Sequence, residues 1–451
     1  MKYSGRPASH QLRTRNSPNR TLRPRTVDPA STAERELTAR EREPAVTVPS
    51  MTPVAFAGSK AWNEVHCRVP TAAGSKRGSA IQMSSEAQMS ADVAISFLSH
   101  LQAKLYEVAT RDLEQNHEAD RYGPEPKRTL GHDMQEHQNK LLAMARLKNS
   151  KALPLILLDT WQLLQDEYSK DVLLELYLQR VIGHDLVKLF RNSPKYWKER
   201  SLARSLQTNR LPAKKIRNMN FELTHFDLKD IGYDLNLFSA PIGIDATFLK
   251  TQYEYSGVKP AIAAKAGDIV IEAGSCYGDT SLYFATKVGP EGKVIGFEFI
   301  PENLDILRQN LELNPKYASN IEIIERPVWE TSEKILYMMN NGPGSQVSER
   351  PLFQGAVEVK TISIDDMVRE RNLPRVDFIK MDIEGAELSA LKGAVGTLER
   401  FKPSLAICVY HKPNDWVDIP LFINSLNLGY KMWLDHFTIY PEETVLYCRT
   451  F

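Results

Sequence analysis

The chain has 451 residues, enough for two or three domains, and its 42% apolar and 25% charged content is that of a globular protein rather than a fibrous or disordered one. A formal charge of +1 offers nothing to a polyanion, so nucleic acid is not an expected partner. No run approaches the ~18 apolar residues of a membrane span, and four scattered cysteines with no C-x-x-C pair argue for reduced thiols in a cytoplasmic setting.

From the amino end, residues 1–88 are expected to be a disordered tail. Residues 13–25 are basic, proline-bearing and nearly free of large apolar groups, so they bury too little surface to offset their ordering entropy. The segment is arginine-rich and free of acids before Asp28, as a transit peptide would be. It lacks an amphipathic stripe, however, and its prolines break any helix. A disordered tail, or a true start at Met83 or Met89, is the simpler reading, and no catalytic group is expected in this stretch.

From Ala91 the pattern changes. Val93, Phe97, Leu101, Leu105 and Val108 recur at helical spacing. A polar break follows at 122–126, and residues 155–164 predict a further helix. Ser169 is a suitable N-cap for the next helix and Gly183 a suitable stop. Residues 89–235 are therefore read as an α-helical accessory region.

Residues 236–451 form the second region. Strands are predicted at 268–272, 294–298, 321–325, 376–382, 404–410, 430–434 and 444–449, and helices at 279–288, 301–313, 386–399 and 416–427. That alternation indicates an α/β domain built on a doubly wound, mostly parallel sheet, with an antiparallel terminal strand at 444–447. Two β-rich pieces, 334–337 and 357–361, interrupt it. The turn-rich loop 340–345 between them is placed to overhang a pocket.

The densest motif lies at 269–280, where a buried strand runs into a glycine turn that opens a helix. Glu272 ends the strand, Gly274 and Gly278 punctuate the turn, and Asp279 and Thr280 begin the helix. A dinucleotide fingerprint needs a glycine where Cys276 stands, because the backbone there must approach a pyrophosphate. S-adenosyl-L-methionine has no phosphate, and its sulfonium and ammonium suit an acidic rim such as Glu272. Glu298, closing the next apolar run, can accept hydrogen bonds from both hydroxyls of a ribose lying across the strand ends. The two carboxylates are expected to converge over one crevice.

The fourth strand carries Lys380, Asp382 and Glu384, which period-two alternation sets on one side facing the same crevice. A lysine in an apolar strand needs a partner, and Asp382 is the nearest. Glu387 is read as a helix-start carboxylate favoured by the dipole. The fifth strand ends in His411, placed for proton transfer, while His436 is the weaker candidate, a pocket wall or core partner.

From about residue 153 to 451 the chain resembles the FkbM-type family of S-adenosylmethionine-dependent methyltransferases. The resemblance rests on 270–284 with Gly278, Asp279 and Thr280, then on 296–303, 377–387, 410–413 and 443–447, and on a helical lead-in at 165–183. Glu272 departs from the aspartate many members carry. The resemblance implies a class I methyltransferase fold with a seven-stranded sheet, and O-methylation of a sugar, glycan or natural-product hydroxyl.

On this reading Gly274, Cys276, Gly278, Asp279, Thr280, Glu272 and Glu298 hold the cofactor, with help from Asp382, while Val328 and Trp329 flank adenine. His411 takes the acceptor's proton, and Asp382, Lys380 and Glu384 complete the catalytic group. Asp382 and Glu384 offer the oxygen ligands magnesium prefers, but no third carboxylate or amide is evident at matching strand ends, so no metal is expected. A nucleotide-dependent oxidoreductase on the same sheet, and a non-catalytic cofactor-binding module, are the alternatives. The sequence carries no signal for an oligomeric state.

Overall fold

The computed structural model describes residues 85–113, 116–117, 154–216, 222–351 and 356–451. The expected tail up to residue 84 and the polar break at 122–126 lie outside the described residues. The described residues group as one compact unit.

Seven strands form the central sheet: β1 (Ile269–Ala273), β2 (Lys293–Phe297), β3 (Ile321–Ile324), β4 (Phe378–Met381), β5 (Ser404–Cys408), β6 (Lys431–His436) and β7 (Thr444–Arg449). Their order across the sheet is 3-2-1-4-5-7-6, with β7 antiparallel to both of its neighbours. The order reverses between β1 and β4, and a ligand crevice opens outside the carboxyl ends of strands at such a point. These strands are short apolar runs because both faces are covered. Ile271, Ala273, Ile295, Ile379 and Leu405 face one core, and Val270, Val294, Phe378 and Ala406 the other.

The helical region packs against that sheet. Helix α1 (Ser85–Thr110) contributes Phe97 and Leu101 to the first core, and α2 (Glu167–Ile182) contributes Leu173, Leu174 and Leu178. Ser169 does not cap α2. The cap is Asp166, whose carboxylate accepts from the Ser169 backbone N–H at 2.8 Å, and Gly183 (φ 113°) ends the helix as expected. The backbone N–H of Gln165 donates to Met432 O at 3.0 Å, tying the start of α2 to β6.

Helices α3 (Asp279–Val288) and α4 (Pro301–Leu313) follow β1 and β2 with the expected bounds. The helix expected at 386–399 is two pieces, α5 (Glu387–Lys392) and a later one at Val395–Phe401. The two β-rich pieces pair antiparallel and, with Gln346–Ser348, make a small three-stranded sheet. Strands Glu222–Asp227 and Asn236–Ser239 pair across residue 235, so one hairpin bridges the boundary expected there. Asn310 of α4 fixes this hairpin: its Oδ1 accepts from Phe238 N at 2.7 Å and its Nδ2 donates to Tyr277 O at 2.8 Å.

Candidate active site

Two cavities lie at the carboxyl ends of β1, β2 and β4, with about 550 and 860 Å³ of empty space, mouths included. They share a floor of Gly274, Cys276, Asp382 and Glu384, and Pro343 from the expected overhanging loop reaches both.

Gly274 makes this floor possible. Its φ of +88° suits glycine, and a Cβ there would lie 2.0 Å from the Asp382 carbonyl oxygen. The β1 turn and the end of β4 therefore touch backbone to backbone. Gly278 also has positive φ (+79°), but its Cβ would meet only the Leu307 side chain, at 3.0 Å.

The first cavity is walled by Glu298, Asn303, Arg326 and Val328. Glu298 Oε1 accepts from the backbone N–H groups of Phe299 (2.6 Å) and Ile300 (2.8 Å), and Oε2 from Asn303 Nδ2 at 3.1 Å. Burial raises its pKa, opposed by those donors. Oε2 keeps lone-pair capacity for a hydroxyl, and Asn303 Oδ1 is buried with no hydrogen-bond partner among the described residues. Trp329, expected beside Val328, is buried and does not line this wall.

Glu272 corrects the sequence reading. It is fully buried, lines neither cavity, and turns beneath the glycine turn to accept from Ser275 Oγ at 3.0 Å and from the hydroxyls of Thr280 and Ser281. It is thus a positioning carboxylate that ties the end of β1 to the start of α3. Burial raises its pKa, against the pull of Lys380 on the neighbouring strand.

The second cavity is walled by Asp279, Thr280, Lys380, Tyr410 and Glu443, and on its far side by residues 239–253. Lys380 is buried and does not pair directly with Asp382. Its ammonium donates to the carbonyls of Gly274 (2.5 Å) and Ala273 (3.4 Å), holding the turn. Burial would lower its pKa, but Asp382 and Glu272 raise it.

Asp382 Oδ2 accepts from Tyr253 OH at 3.0 Å and Oδ1 from Tyr410 OH at 3.1 Å. Burial pushes its pKa up, but Lys380 and His411 hold it below the usual carboxylate range. Glu384, at φ +54°, is pushed up to about 7 by burial and by Asp382 and Glu387, with His411 opposing.

His411 is not where a base needs to be. Its side chain is 5% exposed and lines neither cavity. Nδ1 stands 2.8 Å from Glu387 Oε1, and Nε2 stands 3.4 Å from Asp382 Oδ1 and 3.6 Å from Glu384 Oε2. Burial pulls the ring's pKa down, but these carboxylates, Glu387 foremost, raise it to about 10. His436 is a core residue bonded to Thr444 Oγ1 at 2.9 Å.

Tyr253, Tyr410 and Asn303 were not singled out from the sequence, and Glu387 was read only as a helix-start carboxylate. Glu387 had a legible signal: three carboxylates at 382, 384 and 387 on a strand end running into a helix. It opens a helix rather than ending a strand, which is why a search of matching strand ends passes over it.

A family profile for the methyltransferase FkbM domain matches residues 268–432, covering β1 through the first residues of β6. The chain contains an FkbM methyltransferase domain. Among curated proteins, methyltransferase sdnD of Sordaria araneosa is 29% identical over 155 residues, 28% of this chain and 59% of that protein. The hexuronic acid methyltransferase AglP of Haloferax volcanii is 26% identical over 167 residues, 37% of this chain and 65% of that one. The chain thus spans less than two-thirds of either relative. A crystal structure of the methyltransferase FkbM from Methylobacillus flagellatus KT overlays with a TM-score of 0.40 at 20% identity, covering 65% of this chain and 58% of that one. The cavity floor, from Gly274 to Glu384, lies inside the FkbM domain, whereas residues 239–253 and Glu443 lie outside it. No helix among the described residues is long and apolar enough to cross a membrane.

Proposed function

We propose that the protein is an S-adenosylmethionine-dependent O-methyltransferase acting on a hydroxyl of a small-molecule or glycan acceptor. One observation carries this reading: two cavities meet over the Gly274–Cys276–Asp382–Glu384 floor at the switch point of an FkbM methyltransferase domain. One cavity would take the donor and the other the acceptor. A relative named for hexuronic acid methylation supports a saccharide among the acceptors.

The residues fit the donor. Glu298 and the unpaired Oδ1 of Asn303 are acceptors suited to ribose hydroxyls, and Val328 offers an apolar face for adenine. The acidic floor suits a positive sulfonium. When bound, S-adenosylmethionine supplies an activated methyl group: the acceptor oxygen forms the new O–C bond, and the C–S electron pair leaves with sulfur.

The protein must align that oxygen and accept its proton. Alignment is worth up to roughly 7–11 kcal/mol. Asp382, held by two tyrosine hydroxyls, orients the acceptor. Glu384 lines both cavities and is 28% exposed, so it takes the hydroxyl proton, the role expected of His411. Lys380 and Glu272 act through the turn they hold.

The test is calorimetric titration of the purified protein with S-adenosylmethionine and with NAD, then incubation with labelled methyl donor and a panel of hydroxylated acceptors. Saturable binding of the first and label in an alkali-stable ether are expected. Binding of NAD alone would replace this reading with the oxidoreductase.

A further inference from the structure

Asp382 belongs to a cluster whose other two members, Glu387 and His411, line neither cavity and have no part in the proposed proton transfer. Asp382, Glu387 and His411 come from the end of β4, the start of α5 and the end of β5. Each offers one ligand-type atom, and the three atoms lie within 4.8 Å of one another.

The group is not a closed ion-pair network. Glu387 is fully buried; its Oε1 accepts from the Ile383 backbone N–H at 2.8 Å, yet its Oε2 has no hydrogen-bond partner among the described residues. His411 approaches carboxylate oxygens with both ring nitrogens, but neither makes an aligned hydrogen bond. Its Nε2 points between Asp382 and Glu384 at 3.4 and 3.6 Å, too long for a strong bond to either.

Asp382 and Glu387 face different ring nitrogens, so one ion would take a single imidazole nitrogen and one oxygen of each carboxylate, atoms that lie within 4.8 Å of one another. Nitrogen and oxygen ligands each roughly 2.0–2.2 Å from one ion stand about 3 Å apart at right angles and about 4 Å apart when opposed. Charge points the same way. Three carboxylates, at 382, 384 and 387, face one imidazole, and buried negative charge in excess of its partners is costly. Lys380 offsets part of that charge, lowering the Asp382 pKa, but it hydrogen-bonds to the Ala273 and Gly274 carbonyls rather than to any of the three carboxylates.

We infer that Asp382, Glu387 and His411 bind a divalent first-row cation, of the Mn2+ or Zn2+ class that combines imidazole with carboxylate oxygens. Glu384 stays on the cavity side as proton acceptor. Because Asp382 lines both cavities, the ion stands beside the acceptor's seat, where it would polarise the acceptor oxygen. That catalytic consequence rests on the methyltransferase reading; the binding site does not.

The experiment uses the full chain, stripped with chelator and titrated with Mn2+ alone. Calorimetry is expected to give one ion per chain, with loss of the free-ion spin-resonance signal. In protein labelled with 15N-histidine, spin-echo modulation is expected to show coupling to one imidazole nitrogen. Glu387→Gln and His411→Gln should each weaken binding at least tenfold, and Glu387→Asp should recover part of it. No bound Mn2+ at millimolar concentration, no histidine coupling in the unsubstituted protein, or affinity unmoved by both substitutions would each overturn the site. The histidine coupling needs no variant to fold. S-adenosylmethionine affinity measured on the same samples separates the two readings: donor binding without Mn2+ removes only the metal, and Mn2+ without donor binding removes only the methyltransferase.

Discussion

Glu384→Gln keeps the side chain's shape and removes its capacity to take a proton. With Glu384 as base, kcat should fall about 10²–10⁴-fold while calorimetric affinity for S-adenosylmethionine stays within a few-fold. Equal losses in both quantities would mean the residue only shapes the floor. His436 governs a different property. Burial first, then the charges of Arg191 and Lys250, depress its pKa to about 3, so the folded state holds it neutral where the unfolded chain protonates it. The unfolded state therefore binds more protons between about pH 6.5 and 3. Stability is fully present above that window and declines by up to ~1.4 kcal/mol per pH unit within it. Denaturant titrations of His436→Gln should show a flatter acid limb. At this scale the sequence disclosed residue types better than their directions. Glu298 directly follows the strand beside β1 and stands on the first cavity's wall, as its strand-end position suggested. Glu272 has the same local signature, but three hydroxyls at 275, 280 and 281 turn it inward, and only the packing of α3 on β1 reveals that they converge.

The β1 turn and the end of β4 form a single unit. Gly274→Ala would set a Cβ against the Asp382 carbonyl and strain a left-handed backbone, a loss of roughly 2–5 kcal/mol when the two terms combine. Thermal melts should show it, together with loss of donor binding. Gly278→Ala should be markedly milder, since Leu307 can shift. Periodicity made the seven strands and helices α3 and α4 readable, since short apolar runs alternate with amphipathic ones. It failed where local signals compete. Ser169 looked like a cap, but Asp166 three residues earlier is the stronger acceptor and also receives the Tyr255 hydroxyl at 2.5 Å. The helix expected at 386–399 breaks at Gly393, where a Cβ would lie 2.2 Å from Trp329 O. That close approach is a tertiary fact no window of sequence contains.

The helical region and the sheet share one core. Leu173 and Leu174 of α2 are fully buried in the same cluster as Ile271, Ile379 and Ile407, and the 222–239 hairpin crosses the expected boundary. Residues 236–451 expressed alone should therefore be poorly soluble and lack a cooperative melt. A sharp transition near that of the full chain would show that the sheet can do without α2. In the intact protein Leu174→Ala should cost about 2–5 kcal/mol.

The far wall of the larger cavity, from Ser239 to Tyr253, is built by chain that precedes the matched domain, and Glu443 by chain that follows it. On the proposed reading, part of the acceptor's seat is therefore built by chain outside the matched domain. A graft of residues 239–249 that keeps Tyr253, whose hydroxyl holds Asp382, is then the economical route to a new preference.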